Sequence, residues 1–360
     1  MGRTVPRVLF LVNPEGRAGV PRFSVKQGDR MDAQRQKAAV AWLSVISNTM
    51  LVAGKLIVGL AIGSVSVISE AIHSGVDLLA AVIALFAVKT SNKRADAEHP
   101  FGHGKVENIS GTIEALLIFL AAGWIVYEAI HKLLAPEPIG AVGWGVAVMF
   151  VSSVVNIGVS KLLFKVGRET DSVALQADAW HLRTDVYTSA GVMVGLALIL
   201  VGERVLPGTD LLWLDPAAAI LVALMIVHAA WRLTRESGRD LLDASLPPEE
   251  IAWIRERVSA LTPIVRGFHH LRTRKAGAAR FIEFHVVVDK DLTVERAHHL
   301  ADAITRDLKA HLSEATVTIH VEPCDGSCRP ACLEGCLLAA QEREAVRAHR
   351  NADTPAEERE

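Results

Sequence analysis

Polar and apolar positions divide the chain into two regimes. Between residues 38 and 235 charges are sparse, and long apolar stretches lie near 38–61, 64–90, 109–132, 140–164, 172–201 and 212–233. Each is close to the roughly 20 residues that cross a bilayer core, so the pattern predicts six transmembrane helices. From about residue 247 charges return and the periods shorten. A helix is expected over 248–261, strands over 266–274 and 279–289, a helix over 293–311 and a strand over 315–322. The first of these helices follows Leu246 and two prolines and carries Glu249 and Glu250 in its first turn, where the helix dipole favours acids. In the second strand Ile282, Phe284, Val286 and Val288 alternate with Glu283, His285 and Val287, which puts His285 opposite the apolar face. In the last strand Val317, Ile319 and Val321 point inward, and His320 and Glu322 outward.

The expected organisation is therefore a leader over 1–36, a six-helix transmembrane domain over 37–236, a linker over 237–246, a small α+β domain over 247–323 and a cysteine-bearing, disordered tail over 324–360. The leader holds one five-residue apolar run, Val8–Val12, too short for the apolar region of a signal peptide, and Met31 leaves a later start open. Basic residues mark alternate connectors: Lys93, Arg94 and Lys105, then Lys161, Lys165 and Arg168, then Arg232, Arg235 and Arg239. By the positive-inside rule both termini are expected in the cytoplasm.

Composition adds exclusions. With 51% hydrophobic residues among 360, neither disorder nor a collagen-like repeat fits, and 4 cysteines are too few for a secreted disulfide scaffold. A net charge of -2 argues against nucleic acid as a partner.

One pattern occurs twice in the membrane half. Glu70, His73 and Asp77 in the second stretch are matched by Asp178, His181 and Asp185 in the fifth, each an acid, a histidine three positions on and an aspartate four beyond that. Such spacing stacks the three groups on one side of a helix. Ionisable groups at bilayer depth cost about 2.5 to 3.5 kcal/mol each on insertion scales, so they pair, face a cavity or bind something. His73, Asp77, His181 and Asp185 together offer two imidazoles and two carboxylates, a four-ligand set suited to tetrahedral Zn2+. Without thiolate, Cd2+, Co2+, Fe2+ and Mn2+ stay open as alternatives. Glu70 and Asp178 are expected to support the ligands or the helix packing. The alternative is two buried His–Asp pairs that only join helices. Imidazole must be neutral to ligate and ordinarily titrates near 6.5, so protons and metal compete for such a site, which suits exchange of one for the other.

With these residues in view the chain resembles the cation diffusion facilitator family, from about residue 37 to 323. The resemblance rests on His73-Ser-Gly-Val-Asp77, on His99-Pro-Phe-Gly-His-Gly-Lys105, on His181-Leu-Arg-Thr-Asp185 and on His270-Leu-Arg-Thr-Arg274. It implies a six-span bundle with a cytoplasmic ferredoxin-like α+β domain, assembled as a homodimer in a bacterial inner membrane, that exports Zn2+ in exchange for protons through the four-ligand site. A histidine at the position of His73 is associated in the family with zinc preference. The resemblance also places a second zinc site on Asp96, His99 and His103, although Pro100 and Gly102 leave open a plain solvated loop. It places a binuclear site at the dimer interface on His269, His285, His320 and Glu322, with His298 as a further ligand; Glu322 stands where aspartate is expected. Finally, it implies a salt bridge between Lys105 and Asp243.

All four cysteines, Cys324, Cys328, Cys332 and Cys336, follow the family-like region at a uniform spacing. Thiolate metal capture, redox chemistry and an incidental tail all stay open. Two other functions compete. A membrane di-metal oxidase would use Glu70-x-x-His73 but needs a glutamate from each of two further helices, and Glu114 and Glu128 share one. A metal sensor that moves nothing would leave the duplicated pattern without a purpose.

Overall fold

The computed structural model describes residues 27–62, 65–134, 143–205, 213–312 and 314–353. Six long helices come first: α1 (Gln27–Ile62), α2 (Val65–Ser91), α3 (Lys105–Leu134), α4 (Gly143–Glu169), α5 (Val173–Val205) and α6 (Leu214–Leu241). Among the described residues, five of them carry a window long and apolar enough to cross a membrane. The first half of α5 carries Asp178, Arg183 and Asp185, which interrupt its apolar run. The helix has protein on both sides. It contributes Ala174, Leu175, Ala179 and Leu182 to a core shared with α1, α2 and α4, and Ala177 to a second core shared with α3 and α6. Polar side chains are tolerable on such a helix where they face protein, as the fully buried Asp178 does. Large apolar side chains such as Met50, Ile72, Phe86, Leu120, Phe150 and Leu221 point out of the bundle.

The remainder is α7 (Pro248–Ser259), β1 (Gly267–Ala276), β2 (Ala279–Val288), α8 (Val294–His311), β3 (Ala315–Pro323), α9 (Pro330–Glu334) and α10 (Ala340–Asp353). The sheet order is β1-β2-β3, with β1 antiparallel and β3 parallel to β2. The expected alternation holds: Ile282, Phe284, Val286 and Val288 enter a core with Ile254 and Val258 of α7 and Ile304 and Leu308 of α8, and Val317, Ile319 and Val321 pack against it. This is a helical membrane region followed by a small mixed-sheet domain.

Two boundaries differ from expectation. Helix α6 runs through Leu241, into the expected linker, and α1 begins at Gln27, inside the expected leader, whose residues 1–26 lie outside those described. The tail is not disordered over its described part. It forms α9 and α10 and runs beside β1, where Phe268 N–H donates to Gly335 O at 3.0 Å and Leu337 N–H to Arg266 O at 2.8 Å. The unpaired edge of β1 gives these backbone groups partners, which composition does not reveal.

The bundle and the sheet meet at the β1–β2 turn. Asn108 of α3 accepts from Gly277 N–H at 2.8 Å and donates to Asp240 of α6 at 3.1 Å. Asp171, in the α4–α5 turn with φ 52°, binds Lys275 at 2.8 Å and Arg280 at 3.0 Å. Gly104 lies so close that a Cβ there would stand 2.2 Å from Ala276 O, and one on Gly277, with φ +58°, would stand 2.7 Å from Gly104 O.

Candidate metal centres

Packing of α2 against α5 brings the repeated pattern together. Ligand atoms of His73, Asp77 and Asp185 all lie within 4.8 Å of one another. His181 joins them through Nε2, 3.1 Å from Asp77 Oδ1. Helical spacing explains the convergence, because His73 and Asp77 are one turn apart on α2, as are His181 and Asp185 on α5. His73 is on the exposed side of the group, while Asp77 and His181 are buried. The other ring nitrogen of His181 is buried without a hydrogen-bond partner, so no hydrogen bond fixes its tautomer from behind. Asp178 is fully buried one turn before His181; the side chain of Glu70 lies outside those described.

The second group lies in the α2–α3 connector. Asp96 is 3.4 Å from His99 and 3.3 Å from His103, and the two rings are 4.5 Å apart. Although Pro100 and Gly102 end any helix here, the loop curls tightly: Asp96 Oδ1 accepts from His99 N–H at 2.7 Å and from Glu98 N–H at 3.1 Å. The His99 N–H bond is the main reason the Asp96 carboxyl titrates below its ordinary value.

The third group is on the sheet. His269, His285 and Glu322 have ligand atoms within 4.8 Å of one another, with Glu322 at 3.2 Å from His269 and 2.7 Å from His285. Register accounts for it, since His269 of β1 is opposite His285 of β2, which is opposite His320 of β3. His320 reaches Glu322 at 3.7 Å and its ring is 4.8 Å from that of His285. Burial holds His269 below its ordinary pKa, which keeps the imidazole neutral.

His298 does not join this group. It sits on α8, largely exposed, 3.5 Å from Asp302 one turn on. A histidine not nominated from the sequence lies beside the group: the His270 ring is 4.8 Å from that of His269 and 5.1 Å from that of His285. Strict alternation would point neighbouring histidines to opposite faces, but His270 has φ 53° and the register slips between His269 and Arg272. A bulge of this kind re-aims one side chain.

Lys105 is 3.0 Å from Asp243, as expected, and Arg274 of β1 is 3.4 Å from the same carboxylate. The hydrogen bond from Lys105 leads the interactions that lower the Asp243 pKa. Also unforeseen is a buried knot around Glu107 of α3, which takes Lys37 of α1 at 3.3 Å, Ser91 of α2 at 2.7 Å and Ser172 before α5 at 2.5 Å. The four cysteines are partly buried and free. Cys332 is raised to about 11, by its own burial first and then by the thiols of Cys336, Cys324 and Cys328.

The fold and these groupings define a multi-pass helical membrane protein with a cluster of metal-ligand residues inside its bundle. Residues 41–242 match the cation efflux transmembrane domain and 246–324 the cation efflux protein cytoplasmic domain. An uncharacterized transporter of Synechocystis sp. is 40% identical over 265 residues, covering 72% of this chain and 82% of the relative. The cation-efflux pump FieF of Klebsiella pneumoniae is 32% identical over 301 residues, covering 83% and 95%. A solved structure of the metal-bound C-terminal domain of the CzcD transporter from Thermotoga maritima matches 22% of this chain and 94% of its own, at 31% identity and a TM-score of 0.20. The chain belongs to the cation efflux family, and is a transporter rather than an enzyme.

Proposed function

We propose that the chain exports a divalent metal ion, Zn2+ foremost, from the cytoplasm across a bacterial inner membrane in exchange for protons, with His73, Asp77, His181 and Asp185 as the transport site. The observation that carries this reading is the meeting of two ligand pairs from α2 and α5, with His181 Nε2 3.1 Å from Asp77 Oδ1 inside the bundle. In the absence of metal the imidazole is held by the carboxylate it would share with the ion, so arriving metal displaces a hydrogen bond and a proton together. Open to the cytoplasm at neutral pH, the site loads; open to a more acidic exterior, protonation of the imidazoles releases the ion, and closure carries protons inward. Both termini then lie in the cytoplasm, as the basic connectors favour. Asp96, His99 and His103 form a second site, and His269, His285, His320 and Glu322 a third, on a domain that pairs two copies of the chain. Cd2+, Co2+, Fe2+ and Mn2+ fit the same oxygen and nitrogen donors less selectively.

The test is Zn2+ uptake into dye-loaded proteoliposomes under a pH gradient. Asp77→Ala and Asp185→Ala should each abolish gradient-driven uptake while the protein still purifies as a folded species; uptake at the wild-type rate in either would refute the assignment.

A further inference from the structure

We infer that Cys324, Cys328, Cys332 and Cys336 form a tetrathiolate site for a divalent cation of zinc-like softness, which clamps the C-terminal segment to the edge of the sheet. The match to the family's cytoplasmic domain ends at residue 324, so three of the four cysteines lie beyond it. The path of the chain gathers them. Past β3, Cys324 N–H donates to Val288 O at 2.7 Å at the end of β2, and the chain then turns back until Cys336 bridges Gly267 at the start of β1. This reversal needs left-handed backbone at Gly326 (φ 73°) and at Cys328 (φ 47°). It also needs Gly335, where a Cβ would stand 1.6 Å from Phe268 O. Cys332 lies in α9, and Cys336 follows two residues past the end of that helix.

The segment lacks the usual means of holding such a path. Helix α9 buries no side chain, and among the described side chains of residues 324–350 only Leu337 packs against the domain core. Short segments without a core of their own are commonly fixed by a disulfide or a structural metal, and here the thiols are free. No three of the sulfurs lie within 4.8 Å of one another. Tetrahedral Zn–S bonds of about 2.3 Å require closer sulfurs, so binding draws them inward by rotation at Cβ and tightening of the 325–331 loop. Each thiol loses its proton to solvent as its sulfur bonds to the cation; nothing is oxidised or reduced. Because Gly335 O accepts from Phe268 N–H, the clamp fastens the strand that presents His269.

Full-length protein, purified in detergent, reduced and stripped of metal, is titrated with Co2+. Thiolate ligation gives an intense near-ultraviolet sulfur-to-cobalt charge-transfer band that histidine and carboxylate sites do not produce. The expected result is that band, saturating at one Co2+ per chain, displaced by Zn2+ and lost in Cys328→Ser/Cys332→Ser while the weaker visible bands of the other sites persist. Visible bands filling in the wild type with no charge-transfer band would overturn the proposal, as would an unchanged band in the double variant. A second measurement does not depend on any variant: in the wild type, Zn2+ should slow reaction of the four thiols with a disulfide reagent at least tenfold, and equal rates with and without Zn2+ would overturn the proposal.

Discussion

His181 of α5 is tied to Asp77 of α2 by a 3.1 Å contact in which the imidazole and the carboxylate are both buried. Each group depends on the other to lie inside the bundle, and each is a metal-ligand type whose binding strength follows its protonation. His73 stands at the exposed side of the same group and touches neither partner so tightly.

On the proposed transport site, that position makes His73 the ligand to substitute without dismantling the pair. His73→Asp replaces a nitrogen donor with an oxygen donor and should lower the preference for Zn2+ over Mn2+ and Fe2+ by about tenfold. Competition uptake in proteoliposomes measures it; an unchanged ratio would place His73 outside the site.

Glu322 is shared by His269, His285 and His320, so Glu322→Ala should weaken metal binding at the sheet by roughly 10- to 100-fold, read by calorimetry. Burial already keeps His269 neutral below the ordinary imidazole value, so in the wild type this ligand should remain available as pH falls through about 6.5. The sign for stability runs the same way. An imidazole with a depressed folded pKa contributes fully above its unfolded value, and the contribution is lost as pH falls through the folded one.

The Glu107 knot is a buried ion pair with added hydroxyl donors. Glu107→Ala strands Lys37 and should cost about 3–5 kcal/mol. Lys37→Met with Glu107→Gln, which removes both charges, should cost less than Glu107→Ala alone. Thermal unfolding in detergent, run on the single and double variants, separates these outcomes.

Gly104→Ala and Gly277→Ala each place a methyl group against the other element's backbone, at 2.2 and 2.7 Å. Either should destabilise the contact by about 1–3 kcal/mol and raise hydrogen exchange at the Gly277 amide, which Asn108 now holds. Unchanged exchange would mean that the turn does not depend on this contact.

Much of this was visible in the chain. Five of the spans follow from apolar length, both halves of the intramembrane group from a four-residue spacing that survives in any helix, and the sheet core from alternation. What stayed hidden depends on backbone outside those periods. The left-handed turn at His270 brings a histidine to a face that alternation denies it. The Glu107 knot draws on α1, α2 and the α4–α5 connection, which no local pattern links. The tail is ordered by backbone bonds to the edge of β1, to which composition is blind. His298, which the resemblance nominated, lies on α8 beside Asp302 and apart from the sheet histidines within one chain.

The strand β1 begins beside the sheet histidines and ends at the turn gripped by Asp171, immediately before the helix that carries His181 and Asp185. A single strand, bulged at His270, therefore leads from the histidine cluster on the sheet to the ion pair at the foot of α5.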